Sequence, residues 1–357
     1  MAINPASISK AVVRGANWLG DAVMCLPAVR ALRAALPAAE IALVARPSVA
    51  DVYARESAID RVIVYPKPKG LRDRRAFAAR LREERFDAAV LLQNAFDAAL
   101  LVWLAGVPVR IGYNRDGRGL LLTHAVPVPR PGEIPRHERF YYLELLRRAG
   151  LLERYPKCDA ITLDGIGAAR EAGGRRLAAL GMAGPVIGIS PGAAYGNAKR
   201  WLPERFAESG AQLAGALGAG ALLFGSAGER ALCETVAEAL RRAGVEARNL
   251  AGETTLREFI DLAAVCRAFL TNDSGAMHVA SALEVPTVAV FGSTDDSTTG
   301  PSGPLARVVR EHAECSPCLL RECPIDHRCM TRVSAARVTG AAMEMLESLT
   351  WTREARS

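Results

Sequence analysis

The sequence predicts an α/β protein made of two doubly wound parallel sheets, and three observations predict it. Short apolar runs alternate with helix-length amphipathic stretches along most of the chain, the pattern of βα units rather than of hairpins. Two strand-to-helix corners, Asn17-Trp18-Leu19-Gly20-Asp21 and Leu270 to His278, put glycine, carboxylate and small polar residues where a parallel sheet keeps its ligand crevice. An irregular stretch ending near Pro185 then interrupts the alternation about half-way along 357 residues, a length that suits two cores.

Taken in order, Ala11–Gly15 reads as a buried strand that enters the first corner, and Ala22–Leu36 as a helix that stops before Pro37. Gly20 lets that turn approach a ligand closely. Asp21 stands at the helix start, where a carboxylate serves either as a plain cap or as a functional group. Strands follow at Ile41–Ala45, Val62–Tyr65 and Ala88–Leu92, with helices Ala76–Glu84 and Ala95–Ala105. Two loops carry concentrated positive charge: Pro66 to Arg72, with Lys67, Lys69 and Arg72, and Arg110 to Arg118, with Arg115 and Arg118. Cations so placed suit an acidic ligand, although each alone is also an ordinary solvated side chain.

Helix Glu138–Ala149 leads into the irregular stretch, where Gly165-Ile166-Gly167 imitates a dinucleotide fingerprint but lacks its third glycine and a preceding strand. The second half restarts with strand Val186–Ser190 and a turn of small residues, Pro191-Gly192-Ala193-Ala194, that runs on to Lys199-Arg200-Trp201 before Pro203 opens a helix. Strand Ala221–Phe224, a helix from about Arg230 to Ala243, the turn Asn249–Gly252 and helix Leu256–Ala264 follow. Strand Ala268–Leu270 reaches the second corner, where Ser274 is the natural N-cap of a helix through Leu283. A helix start offers unpaired N–H groups and the positive end of the dipole, and Gly275 removes the side chain that would hold a phosphate away, so an anion is expected here. Strand Val288–Gly292, the loop Thr294–Pro304 and helix Ser334–Leu349 complete the chain.

Composition narrows the class. At 50% hydrophobic and 23% charged the chain is an ordinary soluble globular protein. Met1 to Pro5 lacks the basic and apolar regions of a signal peptide, and the runs Ala98–Val109 and Ser209–Gly228 are too short or too glycine-rich to span a bilayer, so a cytoplasmic protein is expected. Residues 1–150 hold 23 Lys+Arg against 14 Asp+Glu, net +9, and the remainder 22 against 24, net −2. That surplus suits an anionic partner such as a phosphorylated lipid, a nucleic acid or a membrane surface, and equally a general solubility bias is an ordinary reading. Nucleic acid is not expected, since no binding motif for it is present and aromatics are 6%.

Cys315, Cys318, Cys323 and Cys329 with His327 form the last cluster. Four thiols and an imidazole this close could hold structural zinc or iron, yet their spacings of two, four and five residues are not those of paired CxxC ligands. Free thiols remain open, and a disulfide is less suited to a reducing compartment. Cys25, Cys158, Cys233 and Cys266 read as small core residues.

With Asn-Trp-Leu-Gly-Asp at 17–21, Pro-Gly-Ala and Ala-Lys-Arg-Trp within 191–201, Asn-Leu-Ala-Gly-Glu-Thr at 249–254 and Thr-Asn-Asp-Ser-Gly with Met-His at 271–278, nearly the whole chain resembles the lipopolysaccharide heptosyltransferase II group of glycosyltransferase family nine. The resemblance implies a GT-B fold: an acceptor domain over 1–180 with a linker near 165–185, an ADP-sugar domain over 186–335, and a C-terminal helix and tail, 336–357, returning to the first domain. It also implies inverting transfer from ADP-heptose to the first heptose of the inner core on a heptosylated Kdo2-lipid A acceptor. No cofactor is then needed for catalysis, and the enzyme would sit peripherally on the cytoplasmic face of the inner membrane. By the same match Asp21 is the general base and Lys199 the catalytic diphosphate ligand. Gly192, Glu229, Asp273, Ser274, Gly275, Ala276 and His278 form the rest of the donor site, and Asn17 and Asn94 join the basic loops on the acceptor side. Two other functions fit the residues: a heptosyltransferase for a protein or another polysaccharide, and a non-catalytic nucleotide or polyanion binder.

Overall fold

A computed structural model of the protein describes residues 3–354, and the chain divides into two compact units between Cys158 and Asp159. The first contains β1 (Lys10–Arg14), β2 (Glu40–Ala45), β3 (Arg61–Val64), β4 (Ala88–Leu91), β5 (Val109–Tyr113) and β6 (His124–Val126), all parallel in the order β3-β2-β1-β4-β5-β6. The second contains β7 (Val186–Ser190), β8 (Gly220–Leu223), β9 (Ala247–Asn249), β10 (Phe269–Asn272), β11 (Thr287–Val290) and β12 (Ala306–Val309), parallel in the order β12-β11-β10-β7-β8-β9. The predicted fold class, two doubly wound α/β sheets, is the one observed. Central strands such as Ala88–Leu91 and Val186–Ser190 are buried along their whole length, which is why they read as unbroken apolar runs.

Each sheet reverses its order once, between β1 and β4 in the first unit and between β7 and β10 in the second. Helices leave in opposite directions at these points and open a crevice beyond the strand C-termini. The turns that follow β1, β4, β7 and β10 are therefore the ones placed to meet ligands, and they include Asn17, Asp21, Asn94, Lys199 and Asp273.

Several elements differ from the sequence expectation, each for a local reason. The helix expected over 22–36 is two, Leu19–Met24 and Leu26–Ala35, because Pro27 in the first turn of the second has no N–H to continue the ladder. Helix Ile166–Ala179 occupies the stretch read as irregular and packs on helix Leu256–Ala263 of the second unit. Its buried positions are Ala169 and Gly173, so it lacks the large apolar stripe that marks a helix in sequence. A Cβ at Gly173 would stand 2.0 Å from the Asp261 carbonyl oxygen, and Arg176 adds a 2.8 Å ion pair to Glu258. Residues 159–180 thus pack with the second unit rather than the first. The C-terminal helix, Ala335–Glu354, buries Val338, Ala342 and Met345 in the core of the second unit, along helix Pro203–Leu217. It packs on that helix, on β11 and on β12, where its apolar side chains complete the core; residues 355–357 of the expected tail lie outside the described residues.

Candidate active site

In the first unit, Arg14 ends β1 and is almost fully buried. Its Nη1 donates to the carbonyls of Gly15 and Val44, both at 3.0 Å, and its Nη2 donates to Asn17 Oδ1 at 3.1 Å. Asn17 is therefore held in place by a guanidinium beneath it. Asp21 lies in the first turn of helix Leu19–Met24, where Trp18 occupies the N-cap without a side-chain capping bond. Facing Asp21 is Glu138, at the start of helix Glu138–Arg148, which packs on the Asp21 helix. Burial first, and then the Asp21 charge, push the Glu138 carboxyl up to about 7, against the pull of Arg115.

The expected acceptor-side cations fall into two kinds. Lys67, Lys69 and Arg72 are exposed beyond β3, and none forms an ion pair among the described residues. Arg118 is different: it is 0% exposed and donates through Nε to Tyr113 O, through Nη1 to Gln93 O and through Nη2 to Asn94 Oδ1. Each of its three guanidinium nitrogens makes one bond that braces the turn after β4, a buried setting unlike that of the exposed acceptor-side cations. Asn94, so braced, donates from Nδ2 to Tyr141 Oη at 2.9 Å. Arg115 reaches the same hydroxyl at 3.4 Å and pairs with Asp116 at 3.2 Å, but remains exposed.

In the second unit the corner after β10 is assembled by three loops. Asp273 is buried, and its Oδ2 accepts from Lys199 Nζ at 2.5 Å and from Thr294 Oγ1 at 2.6 Å. Asn272 fastens the loop after β7 to β10: its Oδ1 accepts from Trp201 N at 2.9 Å, and its Nδ2 donates to Pro191 O at 2.7 Å. Ser274 is the N-cap residue of helix Gly275–Ala282 as predicted, but its side chain makes no capping bond; its Oγ lies 3.1 Å from Thr271 Oγ1. Gly275 and Ala276, half-buried, bring no long side chain of their own to the helix start, whereas His278 one turn on is buried. Glu229 closes a capping box on Ser226, whose N and Oγ both donate to its Oε2 at 2.8 Å. A Cβ on Gly192 would lie 2.0 Å from Glu229 Oε1, so this glycine is what admits the carboxylate beside the loop.

Nothing in the cysteine cluster supports the metal that its sequence left open beside free thiols. Burial, and after it the neighbouring Cys315, Cys323 and Cys318, raise the Cys329 thiol, so the four lie in one neighbourhood. Yet Cys329 is packed against Gly292 while Cys315 is exposed, and His327 donates from Nε2 to Ala198 O at 3.2 Å. Among the described residues no group of three or more His, Cys, Asp or Glu is arranged to hold a metal ion, and the cysteines are free. Cys25 and Cys233 are core thiols that burial pushes up to about 12, and Cys266 is raised likewise.

Residues 74–328 match the family model described as glycosyltransferase family 9 (heptosyltransferase). The chain belongs to glycosyltransferase family 9. As a family 9 enzyme it is a glycosyltransferase. It is 33% identical over 316 residues to lipopolysaccharide heptosyltransferase 2 of Salmonella typhimurium, an alignment covering 84% of this chain and 88% of that protein. With lipooligosaccharide heptosyltransferase 2 of Campylobacter jejuni it shares 32% identity over 166 residues, so that match spans about half, 51%, of that relative. The solved structure of Escherichia coli ADP-heptose lps heptosyltransferase II superposes with a TM-score of 0.81 at 29% identity, covering 96% of this chain and 99% of that one. The two Rossmann-like units are thus those of a GT-B family 9 member.

Three residues that shape these corners have no part in the sequence expectations for the site, Arg14, Glu138 and Thr294, while Asn272 stands in the Thr-Asn-Asp-Ser-Gly run without a role of its own. Arg14 carried a usable signal, being a charge within an otherwise apolar strand run. Glu138 and Thr294 carried none, since one reads as a first-turn acid and the other as part of a connecting loop.

Proposed function

We propose that this family 9 enzyme transfers heptose from ADP-heptose to the first heptose of the lipopolysaccharide inner core, with inversion at the anomeric carbon. The observation that carries the reading is the corner after β10, where a lysine is held against Asp273 beside an uncapped helix start. A diphosphate there gains a point charge from Lys199 and N–H donors at Ser274 to Ala276. The names of the relatives supply the sugar and the acceptor.

In this mechanism Asp21 takes the proton of the acceptor hydroxyl, whose oxygen attacks the anomeric carbon on the face opposite the diphosphate. The bond from that carbon to the diphosphate oxygen breaks, and ADP leaves as an anion. Lys199 and the helix start offset the charge that grows on it, the helix end alone contributing up to about 2 kcal/mol when partly buried. Lys67, Lys69, Arg72 and Arg115 receive the acidic groups of the acceptor.

No helix among the described residues is long and apolar enough to cross a membrane. We place the enzyme peripherally at the cytoplasmic membrane face, supported by Trp18, 68% exposed, and by Leu71 and Phe96, which follow β1, β3 and β4 on the same sheet edge as the basic loop. Aromatic side chains interleaved with lysine and arginine suit an anionic lipid surface. The deciding experiment is ADP release from ADP-heptose, with and without heptosylated Kdo2-lipid A, by the wild type and by Asp21→Asn. Acceptor-dependent release that falls by about 10²–10⁴ in the variant, at unchanged ADP affinity, supports the reading. Release at the wild-type rate would reduce Asp21 to a helix-end acid.

A further inference from the structure

The cysteine-rich segment has no assigned part in the reaction, yet it is tied to the loop that carries Lys199. Ala198 N donates to Arg321 O at 3.0 Å, Cys323 N to Asn197 Oδ1 at 3.4 Å, and Tyr195 Oη to Leu319 O at 2.9 Å. The approach is close enough that a Cβ on Gly196 would stand 2.1 Å from the Arg321 carbonyl oxygen. On the far side Leu319 N donates to Ser293 O at 2.7 Å, next to Thr294, which holds Asp273. The segment therefore spans both loops that position the Lys199–Asp273 pair.

These tethers deliver a second cation. Lys199 Nζ lies 4.9 Å from the centroid of the Tyr195 ring, and the Arg321 guanidinium carbon lies 5.1 Å from the same centroid. Arg321 is exposed and forms no ion pair among the described residues, whereas Lys199 is committed to Asp273. Two positive groups that share one ring repel each other, and a dianionic ligand relieves that repulsion while the ring limits the freedom of both side chains.

We infer that Arg321 is a second donor-site cation, which joins Lys199 in binding the diphosphate of the nucleotide sugar. The inference rests on the donor placement proposed above and adds to it a residue from outside the strand-end loops. A guanidinium also brings what lysine lacks: a planar fork that grips two phosphate oxygens at once. Because the backbone carbonyl and not the side chain of Arg321 makes the tether to Ala198, truncating the side chain leaves the loop attached.

The test is calorimetric titration of ADP into the wild type, Arg321→Ala, Arg321→Lys and Lys199→Ala, with the melting temperature of each recorded. Arg321→Ala is expected to weaken ADP about tenfold at low salt with an unchanged melting temperature, the loss shrinking as salt is raised. Arg321→Lys should recover part of it. Wild-type ADP affinity in Arg321→Ala beside weakened binding in Lys199→Ala would overturn the role of Arg321 and leave the donor placement standing. Wild-type affinity in both variants would overturn the donor placement itself.

Discussion

Replacing Glu138 with glutamine should stabilise the protein at neutral pH and leave it nearly unchanged in acid. The Glu138 carboxyl is raised from 4.5 to about 7 by burial and by the charge of Asp21. Between those two values the folded chain holds a proton that the unfolded chain has released, so stability falls as pH rises through the window. Below 4.5 both states are protonated and the group costs nothing; above 7 both are ionised and the full penalty is present. Raising the carboxyl from 4.5 to about 7, at about 1.36 kcal/mol for each tenfold change in proton affinity, gives a penalty of at most about 3 kcal/mol. Glutamine has the shape of the protonated acid and no charge. The melting temperature of Glu138→Gln should therefore match the wild type at pH 4 and exceed it at pH 8, each kcal/mol being worth roughly 2–4 °C in a unit of this size. Asp21→Asn should capture part of the same gain, and the double variant less than the sum of the two, because one repulsion is removed twice. An equal shift at both pH values would show a packing effect, and no shift at pH 8 would show that the carboxyl titrates normally; either result refutes the reasoning.

Lys199→Ala should weaken ADP-heptose binding and slow turnover together, checked by steady-state kinetics with donor varied, since in the proposed donor site one charge would face the diphosphate before and during bond cleavage. Neutralising Lys67, Lys69 and Arg72 together should raise the acceptor KM and spare the donor KM; a donor effect would remove these residues from the acceptor side. Arg118→Ala should lower the melting temperature by several degrees, because three carbonyl and amide acceptors around β4 lose their donor; a change in acceptor KM at wild-type stability would restore the role its burial denies.

What the sequence revealed and what it hid follow one division. Strands such as Val186–Ser190 were readable because burial on both faces demands uninterrupted apolar residues, and the turns after β1 and β10 because ligand approach demands glycine and small polar side chains. Edge strands β6 and β12 are short and partly exposed, so no composition marks them. Helix Ile166–Ala179 was hidden because a close helix contact is made by what Gly173 lacks. Arg118 and Arg115 sit three residues apart in one basic run, yet one is buried and the other faces solvent; charge in a sequence reports composition, whereas the Arg118 partners are set by the turn after β4 that the fold brings beside it. The thiols illustrate the converse: they are neighbours along the chain and in space, yet among the described residues no group of three or more is arranged to hold a metal ion.

The pairing of Lys199 with Asp273 makes the enzyme its own competitor for the lysine. A diphosphate that takes Lys199 must win it from a buried carboxylate that Thr294 also holds, so part of the attraction is spent on separating the pair and the nucleotide is bound less tightly than an unengaged lysine would bind it. In the proposed reaction the same carboxylate would draw the lysine back after transfer and hasten departure of the spent nucleotide. Asp273 in this sense sets a ceiling on product inhibition: a variant that frees the lysine would hold ADP longer and turn over more slowly, trading throughput for affinity.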